Sequence, residues 1–112
     1  MKAIDADPTN VDAKQRLAAC LFHLGEREAA ILMLEKLRIA APKDAETAHL
    51  LATAHAISGN TEAALENYEA ALAIDPSDAV LEMDLGLLHR KSGAYATAVE
   101  HYTKAIALRP DF

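Results

Sequence analysis

The five histidines are the side chains of this chain best suited to metal binding or proton transfer. Glu46 and His49 are three residues apart, which places both side chains on one face of a helix, as in di-iron helical bundles. Such a site also needs a second Glu-x-x-His pair and further carboxylates, and the sequence has none at a matching position. His49 and His55 are six residues apart, whereas paired zinc ligands on a helix are four apart. We therefore expect no metal site and no cofactor.

The remaining candidates for chemistry are weaker. Cys20 is the only cysteine, so no intrachain disulfide can form, and nothing near it supplies the base that a catalytic thiolate needs. We expect Cys20 to be a small buried hydrophobic residue. His55 and His89 are predicted to pack beside the core, while His23 and His101 stand alone. No Ser/His/Asp arrangement and no glycine-rich phosphate loop is recognisable, so we predict that the chain is not an enzyme.

The elements that carry these residues recur every 34 residues. The residues that share positions of this period are Leu17, Leu51 and Leu85; Gly25, Gly59 and Gly93; Ala30, Ala64 and Ala98; Leu34, Tyr68 and Tyr102; and Pro8, Pro42, Pro76 and Pro110. The glycines suit a left-handed backbone that closes a helix. Each proline ends a helix because its ring has no N–H and clashes with the preceding turn. Asn10, Asp44 and Asp78 follow the first three prolines and can cap the next helix.

This order of large, small, Gly, Ala, aromatic, Ala and Pro positions resembles the tetratricopeptide repeat family, whose unit has 34 residues. The resemblance implies an all-α fold, a right-handed superhelical solenoid of antiparallel helix pairs, with six helices and an N-terminal helical stub. It places three repeats at residues 11–44, 45–78 and 79–112, after the tail of a preceding repeat at residues 1–10. The pattern predicts helices at about 11–24, 28–40, 45–58, 62–74, 79–92 and 96–108.

Two features depart from the family pattern. Lys14, Ala48 and Glu82 stand where the family favours a bulky aromatic residue in the first helix of each repeat. Arg38 takes a position that Leu72 and Ile106 fill in the other repeats, so the second helix of the first repeat is expected to pack differently.

In the family, the first helices line a concave groove that receives an extended or helical peptide. By that resemblance the groove residues are Asp12, Gln15, Arg16, Ala19, Phe22 and His23, then Glu46, His49, Leu50, Thr53, Ala56 and Ile57, then Val80, Met83, Asp84, Leu87, Arg90 and Lys91. They form an apolar strip with charged edges. The resemblance thus implies a protein–protein interaction module, and a solvated inner face without a tight ligand is the plainer alternative.

One specific ligand is excluded. Family members that clamp a C-terminal carboxylate use Lys, Asn and Arg side chains, and the matching positions here are Gln15, Ala19, Leu50, Val80 and Asp84. None of these has the required side chain, and Asp84 would repel a carboxylate.

Charge narrows the partners further. The chain has a net charge of −6 and a pI near 5.2, which argues against nucleic acids and anionic membrane surfaces, since both require a basic face. No secretory signal and no apolar run of about 20 residues is present, so the cytoplasm is the default compartment. Three roles remain open: an interaction module of a larger scaffold, an accessory domain of an enzyme such as a glycosyl- or sulfotransferase, and an array that stacks end to end.

The end of the third repeat generates a prediction about assembly. No capping helix follows Pro110, so we expect a fragment of a longer protein whose uncovered end, around Ala98, Tyr102 and Ile106, self-associates. Light scattering over a concentration series should show oligomers that are lost when Tyr102 and Ile106 are replaced by charged residues. A strict monomer at millimolar concentration, or an unchanged oligomer in the charged variant, would contradict this expectation.

Overall fold

The computed structural model describes residues 10–111, which form six α-helices and no strand. The helices are α1 Asn10–His23, α2 Arg27–Ala40, α3 Ala45–Ile57, α4 Thr61–Ile74, α5 Ala79–Lys91 and α6 Tyr95–Leu108. Each begins and ends within one residue of its predicted bounds. The predicted N-terminal stub falls on residues 1–9, outside the described residues, apart from Asn10, which begins α1. The predicted repeat boundaries stay a prediction.

Tight turns join α1 to α2, α3 to α4 and α5 to α6, which gives three antiparallel hairpins. Gly25, Gly59 and Gly93 have φ of 92°, 88° and 85°, a region in which a Cβ atom would be strained. In the second turn the N–H of Asn60 returns to the carbonyl of His55 at 2.8 Å and closes the end of α3. The glycine period therefore marks the helix ends as predicted.

The predicted aspartate caps behave differently from each other. The Asp78 carboxylate accepts hydrogen bonds from the backbone N–H groups of Val80, at 2.9 Å, and Leu81, at 3.4 Å, and so caps α5. The Asp44 carboxylate caps no backbone N–H of α3, because it accepts from Gln15 and Thr47 side chains instead.

The core lies between successive hairpins. One buried cluster joins the first hairpin to α3 and consists of Ala18, Ala30, Leu34, Leu37, Leu51 and Ala54. A second joins the second hairpin to α5 and consists of Ala48, Ala52, Ala64, Tyr68, Ala71, Leu81, Leu85 and Leu88. Stacking in one direction gives an elongated solenoid of 51 × 26 × 22 Å, whose radius of gyration of 14.8 Å exceeds the roughly 13 Å of a compact chain of this length.

Polar side chains of α2 also connect the first two hairpins. Arg38 of α2 donates from Nε to Oδ1 of Asn67 on α4 at 2.5 Å. His55 of α3 is 8% exposed, and its Nε2 lies 3.8 Å from a carboxylate oxygen of Glu35 on α2. Arg38, at a position that is apolar in the other repeats, thus gains a polar partner in the next hairpin. His55 packs beside the core as predicted.

The prediction that Cys20 is buried is wrong, and other apolar side chains of the first hairpin are exposed with it. Leu17 is 50% exposed and Leu24 is 78% exposed, Cys20 is exposed, and the buried residues of α1 are Gln15 and Ala18. The equivalents of Leu17 are covered because the preceding hairpin packs on them. Among the described residues no hairpin precedes α1, so its outward face is open.

The uncovered face of α6 consists of different residues from those predicted. Ala98 is only 3% exposed, and the Tyr102 ring packs on Gly86, where a Cβ atom would lie 2.9 Å from a ring carbon. Ile106 is exposed as expected, and the apolar residues beside it on the surface are Tyr95 and Val99. Contacts through this face would involve those three side chains more than Ala98.

The covered and uncovered leucines provide a matched test of the stacking. Leu85→Ala removes a side chain that is 0% exposed and should lower the free energy of unfolding by about 2–5 kcal/mol. Leu17→Ala, at the same position of the first hairpin, should cost no more than about 1 kcal/mol because half of its surface already contacts water. Urea denaturation measures both. Equal losses would show that Leu17 is covered in solution as Leu85 is.

Candidate functional site

Two pockets open between the first helices of the three hairpins. The α1–α3 pocket has a volume of about 170 Å³ and is lined by Ala18, Ala19, Phe22, His23, Leu34, Leu50, Thr53, Ala54 and Ile57. The α3–α5 pocket has a volume of about 430 Å³ and is lined by His49, Thr53, Ala56, Ile57, Tyr68, Asp84, Leu87, Leu88 and Lys91. Thr53 and Ile57 line both pockets, so the two join across α3. We call this continuous surface the inner groove.

Most of the predicted groove residues line these two pockets. They are Ala19, Phe22, His23, His49, Leu50, Thr53, Ala56, Ile57, Asp84, Leu87 and Lys91. Seven predicted residues do not, and they are Asp12, Gln15, Arg16, Glu46, Val80, Met83 and Arg90. Arg16 is exposed and forms an ion pair with Asp12 at 3.2 Å, Met83 and Arg90 lie at the surface outside the lining, and Gln15 is buried.

Gln15 joins the first two hairpins and does not face the inner groove. Its Nε2 donates to Oδ2 of Asp44 at 2.6 Å and to Oγ1 of Thr47 at 2.9 Å. The Thr47 hydroxyl donates in turn to the same Asp44 oxygen at 2.7 Å. These bonds satisfy the amide nitrogen of a side chain that is only 8% exposed, so the placement of Gln15 at the ligand surface was wrong.

His49 pairs with Asp84 of the next hairpin. Its Nε2 lies 2.7 Å from Oδ2 of Asp84, 35 residues further along the chain, whereas the sequence suggested a shared helix face with Glu46. The hydrogen bond to Asp84 raises the pKa of His49 above its usual 6.5. Burial of the ring opposes this shift, and the negative charges of Asp84, Glu46 and Asp78 add to it. The pair therefore holds α3 to α5 at the wall of the α3–α5 pocket.

Tyr68 is the polar pocket residue that sequence reasoning missed. Four apolar residues that line the pockets were not predicted either, and they are Ala18, Leu34, Ala54 and Leu88. Tyr68 belongs to α4, and the family resemblance assigns the groove to first helices alone. Its ring is 4% exposed and tilts against the His49 ring at a centroid distance of 5.9 Å. Its hydroxyl lies 3.0 Å from Oγ1 of Thr53. Burial raises the pKa of Tyr68 above its usual 10.0, with a further contribution from the charge of Asp84.

His101, one of the two histidines expected to stand alone, also has partners. Nδ1 of His101 lies 2.8 Å from a carboxylate oxygen of Glu82, which is 4% exposed, and its ring stacks on His89 with 2° between the planes. These contacts lie inside the third hairpin and satisfy a carboxylate at the position where the family favours an aromatic residue. Across residues 10–111, no three His, Cys, Asp or Glu side chains are arranged to hold a metal ion.

The His49–Asp84 pair makes stability depend on pH. Because the folded-state pKa of His49 lies above its unfolded value, the stabilisation is fully present below about pH 6.5 and is lost as pH rises through the raised pKa. A double-mutant cycle of His49→Gln and Asp84→Asn by urea denaturation should give a coupling on the order of 1 kcal/mol at pH 6 and less at pH 9. The other histidines cancel in this cycle. A coupling that grows with pH would contradict the prediction.

Sequence comparison identifies repeats over nearly the whole chain. A tetratricopeptide repeat family model matches residues 2–54, and a second tetratricopeptide repeat model matches residues 49–111. A comparison with curated protein sequences gave no significant match. With 13 or 14 residues each, the helices of residues 10–108 are too short to span a bilayer.

Solved structures share the fold. MamA from Desulfovibrio magneticus RS-1 is 28% identical with a TM-score of 0.84, over 96% of this chain and 60% of its own. An O-GlcNAc transferase from Thermobaculum terrenum is 28% identical with a TM-score of 0.84, over 100% of this chain and 21% of its own. YrrB is 24% identical with a TM-score of 0.83, over 91% of this chain and 53% of its own. The chain thus spans less than two thirds of the length of each.

The glycine-closed hairpins, their stacking in one direction and the two family matches agree with one another. The chain belongs to the tetratricopeptide repeat family.

Proposed function

We propose that the inner groove binds an extended or helical segment of a partner protein, and that the chain serves as a non-catalytic protein–protein interaction module. The observation that carries this proposal is the pair of pockets that join across α3 on one side of the solenoid. A bound chain could contact all three hairpins along this surface. Neither a folded globular surface nor a small metabolite uses such a shape as fully.

The lining of the inner groove supports a peptide ligand. Ile57, at the junction of the two pockets, is 58% exposed, and Phe22 and Leu50 are only partly buried. Covering apolar surface of this kind contributes about 25 cal/mol for each Å² removed from water. The few polar groups, chiefly the His49–Asp84 pair and Lys91, can set the orientation of the ligand.

The size of the α1–α3 pocket also favours a single side chain over a whole small molecule. Small-molecule sites are typically about 300–1,000 Å³ and enclose most of the ligand. The α1–α3 pocket, at about 170 Å³, is below that range and open to solvent on one side. It accommodates one side chain of a longer ligand.

A relative with the same fold is consistent with this reading. YrrB is described as a tetratricopeptide repeat protein with an unusual peptide-binding site. At 24% identity this likeness concerns the fold, so the proposal depends on the side chains of the inner groove itself.

The match to an O-GlcNAc transferase supports a second candidate. All of this chain aligns with 21% of that enzyme, which fits an accessory repeat region that presents substrate proteins while catalysis occurs elsewhere. The sequence of the full-length gene product separates the two candidates. A transferase domain in the same polypeptide favours the accessory role, and its absence favours the scaffold role.

Charged substitutions in the inner groove test the proposed binding. The variant Leu50→Asp/Leu87→Asp places two carboxylates in the lining and should weaken a bound peptide at least tenfold, because each charge must be desolvated. Pull-down followed by titration of the recovered partner measures the loss.

The matched control is Leu24→Asp/Ile39→Asp, which adds the same charge at side chains that are 78% and 82% exposed and outside the lining. It should retain all partners. If the groove variant keeps its helical circular dichroism and also keeps the same partners at the same affinity, the inner groove is not the binding surface.

A further inference from the structure

We propose that the peptide bound in the inner groove places a basic side chain, Arg or Lys, in the α3–α5 pocket and a large apolar side chain in the α1–α3 pocket. This inference rests on the proposed function and specifies its ligand. The two ligand positions are two or four residues apart in an extended peptide, because alternate side chains lie on the same side.

At one end of the α3–α5 pocket, the oxygens of Tyr68 and Asp84 can accept hydrogen bonds from a ligand. The Thr53 hydroxyl donates its single hydrogen to the carbonyl of His49 at 3.0 Å. The Tyr68 hydroxyl lies 3.0 Å from Oγ1 of Thr53, and its oxygen keeps a lone pair that can accept from a ligand. Oδ2 of Asp84 is taken by His49, and Oδ1 has no partner within residues 10–111. A guanidinium or ammonium group supplies the donors that these oxygens require.

The local charge also favours a cation. The carboxylates of Asp84, Glu46 and Asp78 each raise the pKa of His49, and Asp84 raises the pKa of Tyr68 on a different helix. Two groups on separate helices thus experience a negative potential at the same end of the pocket. The net charge of the chain is −6, so longer-range electrostatics act in the same direction.

Lys91 does not neutralise this end of the pocket. It follows Asp84 by seven residues on α5, which corresponds to about 10 Å along the helix axis. Its side chain is exposed and lines the same pocket. The cation site therefore lies beside Asp84 and Tyr68, away from Lys91.

The α1–α3 pocket has the opposite chemistry. Its lining contains no carboxylate and no Lys or Arg, and its polar members are His23 and Thr53. The aromatic ring of Phe22 and the side chains of Leu50 and Ile57 surround a volume of about 170 Å³. Neighbouring helices lie about 8–10 Å apart, and an extended peptide advances about 3.3 Å per residue with alternate side chains on the same side, so ligand side chains two or four residues apart can reach both pockets.

Binding of a basic peptide competes with protonation of His49. The groups that face His49 are Glu46 on its own helix, Asp84 and Asp78 of the third hairpin, and the neutral Tyr68 hydroxyl of α4. Protonated His49 already gives Asp84 a positive partner, so a second cation beside Asp84 favours the neutral imidazole. Affinity for a basic peptide should therefore rise as pH increases through the pKa of His49.

A displayed library of random peptides, selected at pH 8 against the wild-type chain, tests the ligand chemistry without assuming a sequence. Selection against Leu50→Gln/Leu87→Gln, which removes apolar lining without adding carboxylates that would attract a basic peptide, identifies the peptides that require the inner groove. We expect these to carry Arg or Lys two or four residues from a large apolar residue. Groove-dependent peptides that are acidic or uncharged would overturn the basic-ligand inference and leave the proposed function intact. Absence of any groove-dependent peptide would overturn both.

Synthetic capped versions of a selected peptide, with Arg or its uncharged isostere citrulline, test the role of Asp84. Asp84→Asn should weaken the Arg peptide by about tenfold or more and leave the citrulline peptide nearly unchanged. Glu100→Gln removes the same charge at an exposed position of α6 outside the lining and should change neither affinity. Equal effects of Asp84→Asn on both peptides would contradict direct recognition of the cation.

The wild-type chain provides a measurement that does not depend on any variant folding. Its affinity for the Arg peptide should increase severalfold from pH 6 to pH 8, and its affinity for the citrulline peptide should change less. His49→Gln should flatten the first profile. Tighter binding of the Arg peptide at pH 6 than at pH 8 would overturn the inference.

Discussion

The structure depends on the burial of each hairpin's apolar face by the hairpin beside it. A single pair of helices has no second layer to cover it, so the core forms between hairpins and grows in one direction. The exposures of Leu17, Leu51 and Leu85, at 50%, 3% and 0%, show the effect at one position of the period. The residue type is the same in all three, and the presence of a preceding hairpin decides whether water is excluded. The groove exists for the same reason, because stacking aligns α1, α3 and α5 on one side.

Polar contacts give each junction between hairpins its own character. Gln15 and Thr47 meet at Asp44 between the first two hairpins, and His49 meets Asp84 between the second and third. These contacts are between groups that are buried or partly buried, so an unpaired member would carry a desolvation cost. The apolar positions repeat almost unchanged, while the polar ones differ from one junction to the next. The first set determines the fold and the second determines the surface that a ligand meets.

The sequence predicted the helices well because the period records local properties of the chain. Gly59 and its equivalents need a positive φ whatever surrounds them, so their spacing alone located the turns. Coverage by neighbours is not local, and the errors lie there. Cys20 was expected to be buried but is exposed, and His101 was expected alone although Glu82 lies 2.8 Å away across its hairpin. Tyr68 was missed since it reaches the groove from a second helix, and no repeat pattern reports how far a side chain extends.

The location of the two carboxylate–histidine pairs decides how freely such a chain can be lengthened. Glu82 and His101 lie in one hairpin, so a duplicated third hairpin would carry its buried acid together with the base that satisfies it. His49 and Asp84 belong to different hairpins, so a unit inserted between them would separate the two side chains and place each beside a different residue. Growth by gene duplication is therefore easiest after the third hairpin, whereas an insertion at either internal boundary would separate polar partners, Gln15 and Thr47 at the first and His49 and Asp84 at the second.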